Sequence, residues 1–280
     1  MRTAVASKTT AWLNHAIVLS RTQATGMNIA INRRKIIFVG LLTMSAPSVV
    51  LTPVLGQDAV PIEILRRTLF IKSGGEAGTA FKVDYKGKVY LVTARHVAAA
   101  LPLEGGTIQL RQQQEWKDCR ITKKILPLSD SVDIAVLQSE ETVSKPYEIT
   151  WSDIGGVTFG QQVWFLGYPY GLGTQFTDAE IPFIKRGTMS AIDVSNPDAI
   201  VLYIDGFNNP GFSGGPIIYW DFKEHVIKIL GVVKGYKFEN AKVIVNGAEQ
   251  NTALLVNSGI LIGYSFKHAI DAIEKANSVK

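Results

Sequence analysis

The chain has 280 residues, with 29 lysines and arginines against 24 acids and a formal net charge of +5. Six of the 29 bases (Arg2, Lys8, Arg21, Arg33, Arg34 and Lys35) stand in residues 1–56, which hold no acid, so 23 bases face 24 acids in the rest. That near-neutral remainder removes the electrostatic case for a nucleic-acid partner, and its length gives room for one large or two small domains.

Residues 1–56 read as a leader. Asn32-Arg33-Arg34-Lys35 followed by an apolar run from Ile36 towards Leu51 has the layout of a secretory signal. Val54-Leu55-Gly56 supplies the cleavage residues, Gln57 the mature start, and Met27 the natural beginning, so the signal peptide is placed over 27–56. Pro47 and Pro53 work against a stable spanning helix, and membrane association is expected only if the leader stays uncleaved. The one cysteine, Cys119, allows no intramolecular disulfide. A secretory signal on such a chain points to the bacterial envelope, periplasmic or secreted. Cys119 sits in the polar run Gln112 to Arg120 and is read as structural.

From Thr68 onwards short apolar runs are broken by Gly, Asp, Asn and Pro. Thr68–Ile71, Thr79–Val83 and Val89–Thr93 read as strands, with Asp84–Lys88 as the turn between the last two. Further strands are expected at Thr107–Leu110, Ile134–Gln138, Val163–Leu166, Ile200–Ile204, Ile217–Trp220, Val226–Val233 and Leu254–Ile262. This spacing is that of an all-β sandwich or barrel. One helix closes the chain. Phe266, Ala269, Ile270 and Ile273 fall on one face, Lys267, His268, Asp271 and Glu274 on the other, with Ser265 as N-cap.

The chemistry centres on Pro210-Gly211-Phe212-Ser213-Gly214-Gly215-Pro216. Glycines beside Ser213 leave its hydroxyl uncrowded and let the N–H groups of Gly211 and Ser213 converge on one point. Such a pair can stabilise the oxyanion of an acyl-transfer transition state. A histidine to act as base is expected at a rigid position. His225 reads as a solvated turn residue and His268 as part of the polar helix face. His96 follows the strand ending at Thr93 and precedes the small-residue run Val97–Ala100, so it is the candidate. Asp130 and Asp133 compete to orient it. Asp133 abuts an apolar strand, where a carboxylate needs a hydrogen-bonded partner, and it is assigned the role. No His/Cys/Asp cluster has metal-ligand spacing, and this chemistry needs no cofactor.

Leu91–Val97, Asp133–Leu137 and Gly211–Pro216 resemble, in that order, the three signature blocks of the trypsin-like serine peptidases, most closely the disulfide-free bacterial type. Gly78-Thr79-Ala80-Phe81, Gly167-Tyr168-Pro169, Gly187-Thr188-Met189-Ser190 and Asn257-Ser258-Gly259-Ile260 extend the likeness over about residues 66–275. The resemblance implies two antiparallel six-stranded β-barrels with the active site between them. The first, within 57–150, would carry His96 and Asp133, and the second, within 151–262, would carry Ser213. Residues 263–280 would form the C-terminal helix. It further implies a serine endopeptidase acting on protein or peptide substrates through an acyl-enzyme.

The primary specificity pocket would be built from Phe207 and Asn209 before the nucleophile and from Val233, Lys234 and Gly235 after it. With no acid there, cleavage after apolar residues is expected. Digestive relatives order the oxyanion loop through an Asp before the serine; Phe212 stands there, so the loop is expected to be ordered by packing, with Phe212 filling an apolar site, or else by a substrate or partner. Two other readings exist. Gly211–Gly215 also fits the nucleophile elbow of α/β-hydrolases, but Gly214-Gly215-Pro216 is a poor helix start. The alternative from another class is a non-catalytic double barrel serving as a binding module.

Overall fold

The computed structural model describes residues 59–140 and 150–278; the leader and its signal lie outside them. A short helix, α1 (Ile62–Arg67), leads into β1 (Thr68–Ser73), β2 (Glu76–Tyr85), β3 (Lys88–Thr93), β4 (Thr107–Gln112), β5 (Glu115–Ile125) and β6 (Ala135–Ser139). These strands close a barrel in the order β1-β2-β3-β6-β5-β4. Then come β7 (Gln162–Gly167), the small ribbon β8 (Thr174–Phe176) and β9 (Ala179–Ile181), β10 (Phe183–Asp193), β11 (Val201–Asp205), β12 (Pro216–Asp221), β13 (Val226–Val245) and β14 (Ala248–Ser265). A second closed barrel runs β10-β11-β14-β13-β12-β7. Helix α2 (Lys267–Ser278) ends the described chain.

Two closed barrels with a terminal helix match the expected all-β architecture. In β3, alternation places Leu91 inside the first barrel, while Tyr90 and Val92 belong to a cluster shared with Trp164, Ile218, Phe266 and Ile270. Both faces of that strand are buried, which is why its sequence is apolar without a break. Each such aliphatic or aromatic side chain contributes about 1.5–3 kcal/mol on burial. The interior of the second barrel is filled by Phe165, Met189, Ile204, Phe212, Tyr219 and Leu261 among others.

Several elements differ from the sequence reading. The turn between β2 and β3 shrinks to Lys86-Gly87, with φ of 49° and 75°, the geometry of a two-residue hairpin. β5, which takes in most of the polar run Gln112 to Arg120, is a strand that the sequence pattern hides, because only Cys119, Ile121 and Ile125 of its residues point into the core. β13 and β14 run far beyond the segments expected, joined through Asn246-Gly247. His268 is corrected: it is buried, and its Nε2 accepts the Ile200 N–H at 2.9 Å. Ser265 Oγ accepts from the Lys267 N–H at 3.4 Å, near the capping role expected of it.

Candidate active site

His96 lies in the turn that follows β3, and Asp133 lies just before β6, the strand paired with β3. The pairing of Thr93 with Ala135 therefore brings the two residues together. One Asp133 oxygen is 2.7 Å from His96 Nδ1, and the other accepts the His96 backbone N–H at 2.9 Å. The carboxylate thus holds both ring and main chain, and it leaves Nε2 as the proton-accepting nitrogen. Val132 and Ile134, on either side of Asp133, are fully buried. The Asp133 hydrogen bond raises the His96 pKa above its ordinary 6.5, against burial, with Glu76 adding to the rise and Lys234 opposing it. Burial pushes Asp133 up, but the bond and charge of His96 outweigh it and its pKa falls below 3.8. Asp130 is elsewhere: its side chain is 95% exposed and paired with Arg95 at 2.9 Å.

Ser213 sits in the loop between β11 and β12. Gly211 and Gly214 are obligatory there. Gly211 has φ +102°, and a Cβ on it would lie 2.1 Å from the Tyr168 carbonyl oxygen. Gly214 has φ +85°, and a Cβ would meet the Thr79 carbonyl oxygen at 2.1 Å. The close approach at Gly214 draws the serine loop onto β2 and Ala94, two residues before His96. Tyr170 N–H holds the Pro210 carbonyl at 2.8 Å. Among the described residues, the N–H groups of Gly211 and Ser213 have no hydrogen-bond partner in the structure. The Ser213 hydroxyl donates to the Lys234 carbonyl at 3.0 Å, and no hydrogen bond joins it to His96.

Phe212 is fully buried, edge-on to Phe165 at 5.3 Å between ring centroids and against Gly167. The position before Ser213 is thus occupied by a ring in apolar surroundings.

The expected pocket residues are spread over three situations. Phe207 is 57% exposed, and its carbonyl accepts from Lys185 Nζ at 2.7 Å. Asn209 Oδ1 accepts from the same ammonium. The Val233 side chain is buried in the second barrel's core, and its main chain meets the serine loop, its carbonyl accepting the Gly214 N–H at 2.8 Å; the Lys234 carbonyl accepts from Ser213. Lys185, in β10, was not singled out by sequence; burial lowers its pKa. Arg111 and Glu180 were also missed. Arg111 pairs with buried Glu180 and donates to the Gly171 carbonyl at 2.6 Å, supporting the loop that carries Tyr170. A cavity of about 460 Å³ lies beside Gly211, walled by Phe70, Lys72, Arg111, Trp116 and Tyr170. No group of three or more His, Cys, Asp or Glu side chains able to hold a metal occurs among the described residues.

Residues 78–226, just over half of the chain, match the family model of the trypsin-like peptidase domain. The chain belongs to that family. Among curated trypsin-like relatives, the serine protease Do-like HtrA of Bacillus subtilis (strain 168) is 28% identical over 155 residues, covering 54% of this chain and 32% of the relative. Protease Do-like 1, chloroplastic, of Arabidopsis thaliana is 29% identical over 185 residues, covering 64% and 38%. The chain thus spans about a third of the length of these relatives. Among solved structures, the active form of a protease from M. tuberculosis superposes with a TM-score of 0.51 at 16% identity, covering 76% of this chain and 82% of that one. A serine endoprotease from Yersinia pestis gives 0.50 at 18% identity, covering 78% and 67%. At such identities these structures speak for the fold.

Proposed function

We propose that this trypsin-like domain is a serine endopeptidase that cleaves protein or peptide chains with His96, Asp133 and Ser213. The observation that carries the reading is the double grip of Asp133 on the ring and backbone of His96, beside a serine loop with two unpartnered N–H groups. In the proposed cycle the Ser213 hydroxyl exchanges the Lys234 carbonyl for His96 Nε2. His96 takes its proton as Oγ attacks the peptide carbonyl, and Asp133 stabilises the imidazolium. The N–H groups of Gly211 and Ser213 receive the oxyanion. The amine leaves with the proton from His96, and water then hydrolyses the acyl-enzyme with His96 again as base.

The primary pocket is proposed to take apolar side chains. The Lys185 ammonium behind Phe207 and Asn209 supports this, because it repels a lysine or arginine placed there. The basic-then-apolar run over 33–51 supports export to the bacterial envelope.

One observation favours a second reading, a binding module: the resting Ser213 hydroxyl faces a carbonyl, not the imidazole. Hydrolysis of casein by the wild type, abolished in Ser213→Ala and in His96→Ala, distinguishes the two. Casein left intact by folded wild-type protein favours the binding module. A cleavage profile dominated by Lys or Arg before the scissile bond contradicts the pocket assignment.

A further inference from the structure

Thr79, in β2 of the first barrel, is hydrogen-bonded to the serine loop of the second through both its main chain and its side chain. Its N–H donates to the Ser213 carbonyl at 2.8 Å, and its hydroxyl donates to the Gly211 carbonyl at 2.7 Å. The same hydroxyl oxygen accepts the Tyr168 N–H at 3.2 Å. Its own carbonyl accepts from Thr93 Oγ1 at 2.7 Å, which fixes Thr79 on β3. The residue is fully buried.

An oxyanion hole is a matter of peptide-plane orientation, and each plane in this loop has its own tie. The Pro210–Gly211 plane is held at the Pro210 carbonyl by the Tyr170 N–H. The Phe212–Ser213 plane is held at the Phe212 carbonyl by the Gly215 N–H at 2.8 Å. Between them, the Gly211–Phe212 plane is held at its carbonyl by the Thr79 hydroxyl at 2.7 Å, and more loosely at its other edge by the Phe212 N–H, which donates to the Asn209 carbonyl at 3.3 Å. The Thr79 tie is the only one of these four made by a side chain, and it comes from the opposite barrel. Gly211 has no Cβ to limit its φ, so a neighbouring plane can turn over cheaply unless its carbonyl is anchored.

We propose that the Thr79 hydroxyl is a positioning group for the oxyanion hole, locking the Gly211–Phe212 peptide so that the Gly211 and Ser213 N–H groups point at one spot. This rests on the serine-peptidase reading and adds a residue to it. A valine keeps the shape of Thr79 and loses the donor and acceptor together; a serine keeps both. Thr79→Val should therefore lose the interaction made to the transition state and keep ground-state binding.

The test compares wild type, Thr79→Val and Thr79→Ser on a quenched-fluorescent peptide with Val before the scissile bond. A peptide boronic acid, which forms a tetrahedral adduct with serine, provides the second readout. Amide hydrogen exchange over residues 212–215 provides the third, independent of turnover. Expected for Thr79→Val is a kcat lower by about tenfold to a hundredfold with KM within about twofold. Boronate affinity should fall in parallel, exchange over 212–215 should quicken, and β3 and β7 should stay protected. Thr79→Ser should recover most of kcat. An active wild type with unchanged kcat in Thr79→Val overturns the proposal, as does a loss confined to KM. A loss that Thr79→Ser fails to restore, or one accompanied by faster exchange throughout β3 and β7, also overturns it. If the wild type itself neither cleaves nor binds boronate, the peptidase reading fails, and the exchange comparison alone decides Thr79: unchanged exchange over 212–215 overturns the tie.

Discussion

Asp133 accepts two hydrogen bonds from one residue, His96, through Nδ1 at 2.7 Å and the backbone N–H at 2.9 Å. The backbone bond survives in an asparagine only through its oxygen, and the other arm then presents an NH₂ group to Nδ1. That arrangement selects the wrong tautomer for a base at Nε2. Asp133→Asn should lower kcat by about 10³–10⁴-fold.

The same contact sets the pH profile. A raised His96 pKa means that kcat/KM climbs with pH through a midpoint above 6.5, as the imidazole becomes neutral and able to accept the serine proton. In Asp133→Asn the residual activity should rise at a lower pH, because the carboxylate that held the proton is gone. Asp130→Asn, at a 95% exposed side chain, should leave both rate and midpoint within about twofold. Steady-state kinetics across pH 5–9 checks all three, and a milder effect at Asp133 than at Asp130 moves the orienting role.

Phe212, next to Ser213, is buried in the second barrel's core. Phe212→Ala should cost about 3–5 kcal/mol, read as a lower midpoint in urea unfolding with an unchanged slope. Loss of peptidase activity should precede global unfolding, since the loop loses its anchor first. Stability within about 1 kcal/mol of wild type would contradict a role for this ring in the core.

The meeting of His96 with Asp133 was legible because each stands next to an apolar strand: His96 after Val89–Thr93, Asp133 before Ile134–Gln138. What escaped has more than one cause. β5 offers only Cys119, Ile121 and Ile125 to the core, and its polar face is held by backbone pairing with β4 and β6. The β13–β14 arm carries an Asn-Gly pair, the usual mark of a two-residue hairpin, and that signal was available. His268 was placed on the polar face by residue type alone, although its ring is held by the Ile200 N–H, 68 positions away. Thr79 looked like one more strand residue. Its role depends on Gly211 and Tyr168, which only the closing of two barrels brings to its side.

His268 carries a consequence for stability. Burial lowers its pKa below 6.5; Asp271, Asp198 and Asp153 pull it upward, and Lys267 adds to the lowering. Its Nε2 must stay unprotonated to accept the Ile200 N–H. A histidine depressed in the folded state contributes stability that is complete above about 6.5 and is lost as pH falls through the folded value. Glutamine at 268 can accept the same N–H without titrating. The stability of wild type relative to His268→Gln should therefore decline between pH 7 and pH 5 in denaturant titrations. A difference that is flat or rises on acidification contradicts the buried neutral imidazole.

An activated nucleophile at Ser213 should react with a serine-directed phosphonylating reagent. Wild-type protein is incubated with a fluorophosphonate, and the adduct is measured by intact mass and located by peptide mapping. One phosphonyl group on Ser213 is predicted, forming at least about a hundredfold more slowly in His96→Ala, whose fold is checked by circular dichroism. A folded wild type that stays unmodified, or that reacts as fast without His96, contradicts it.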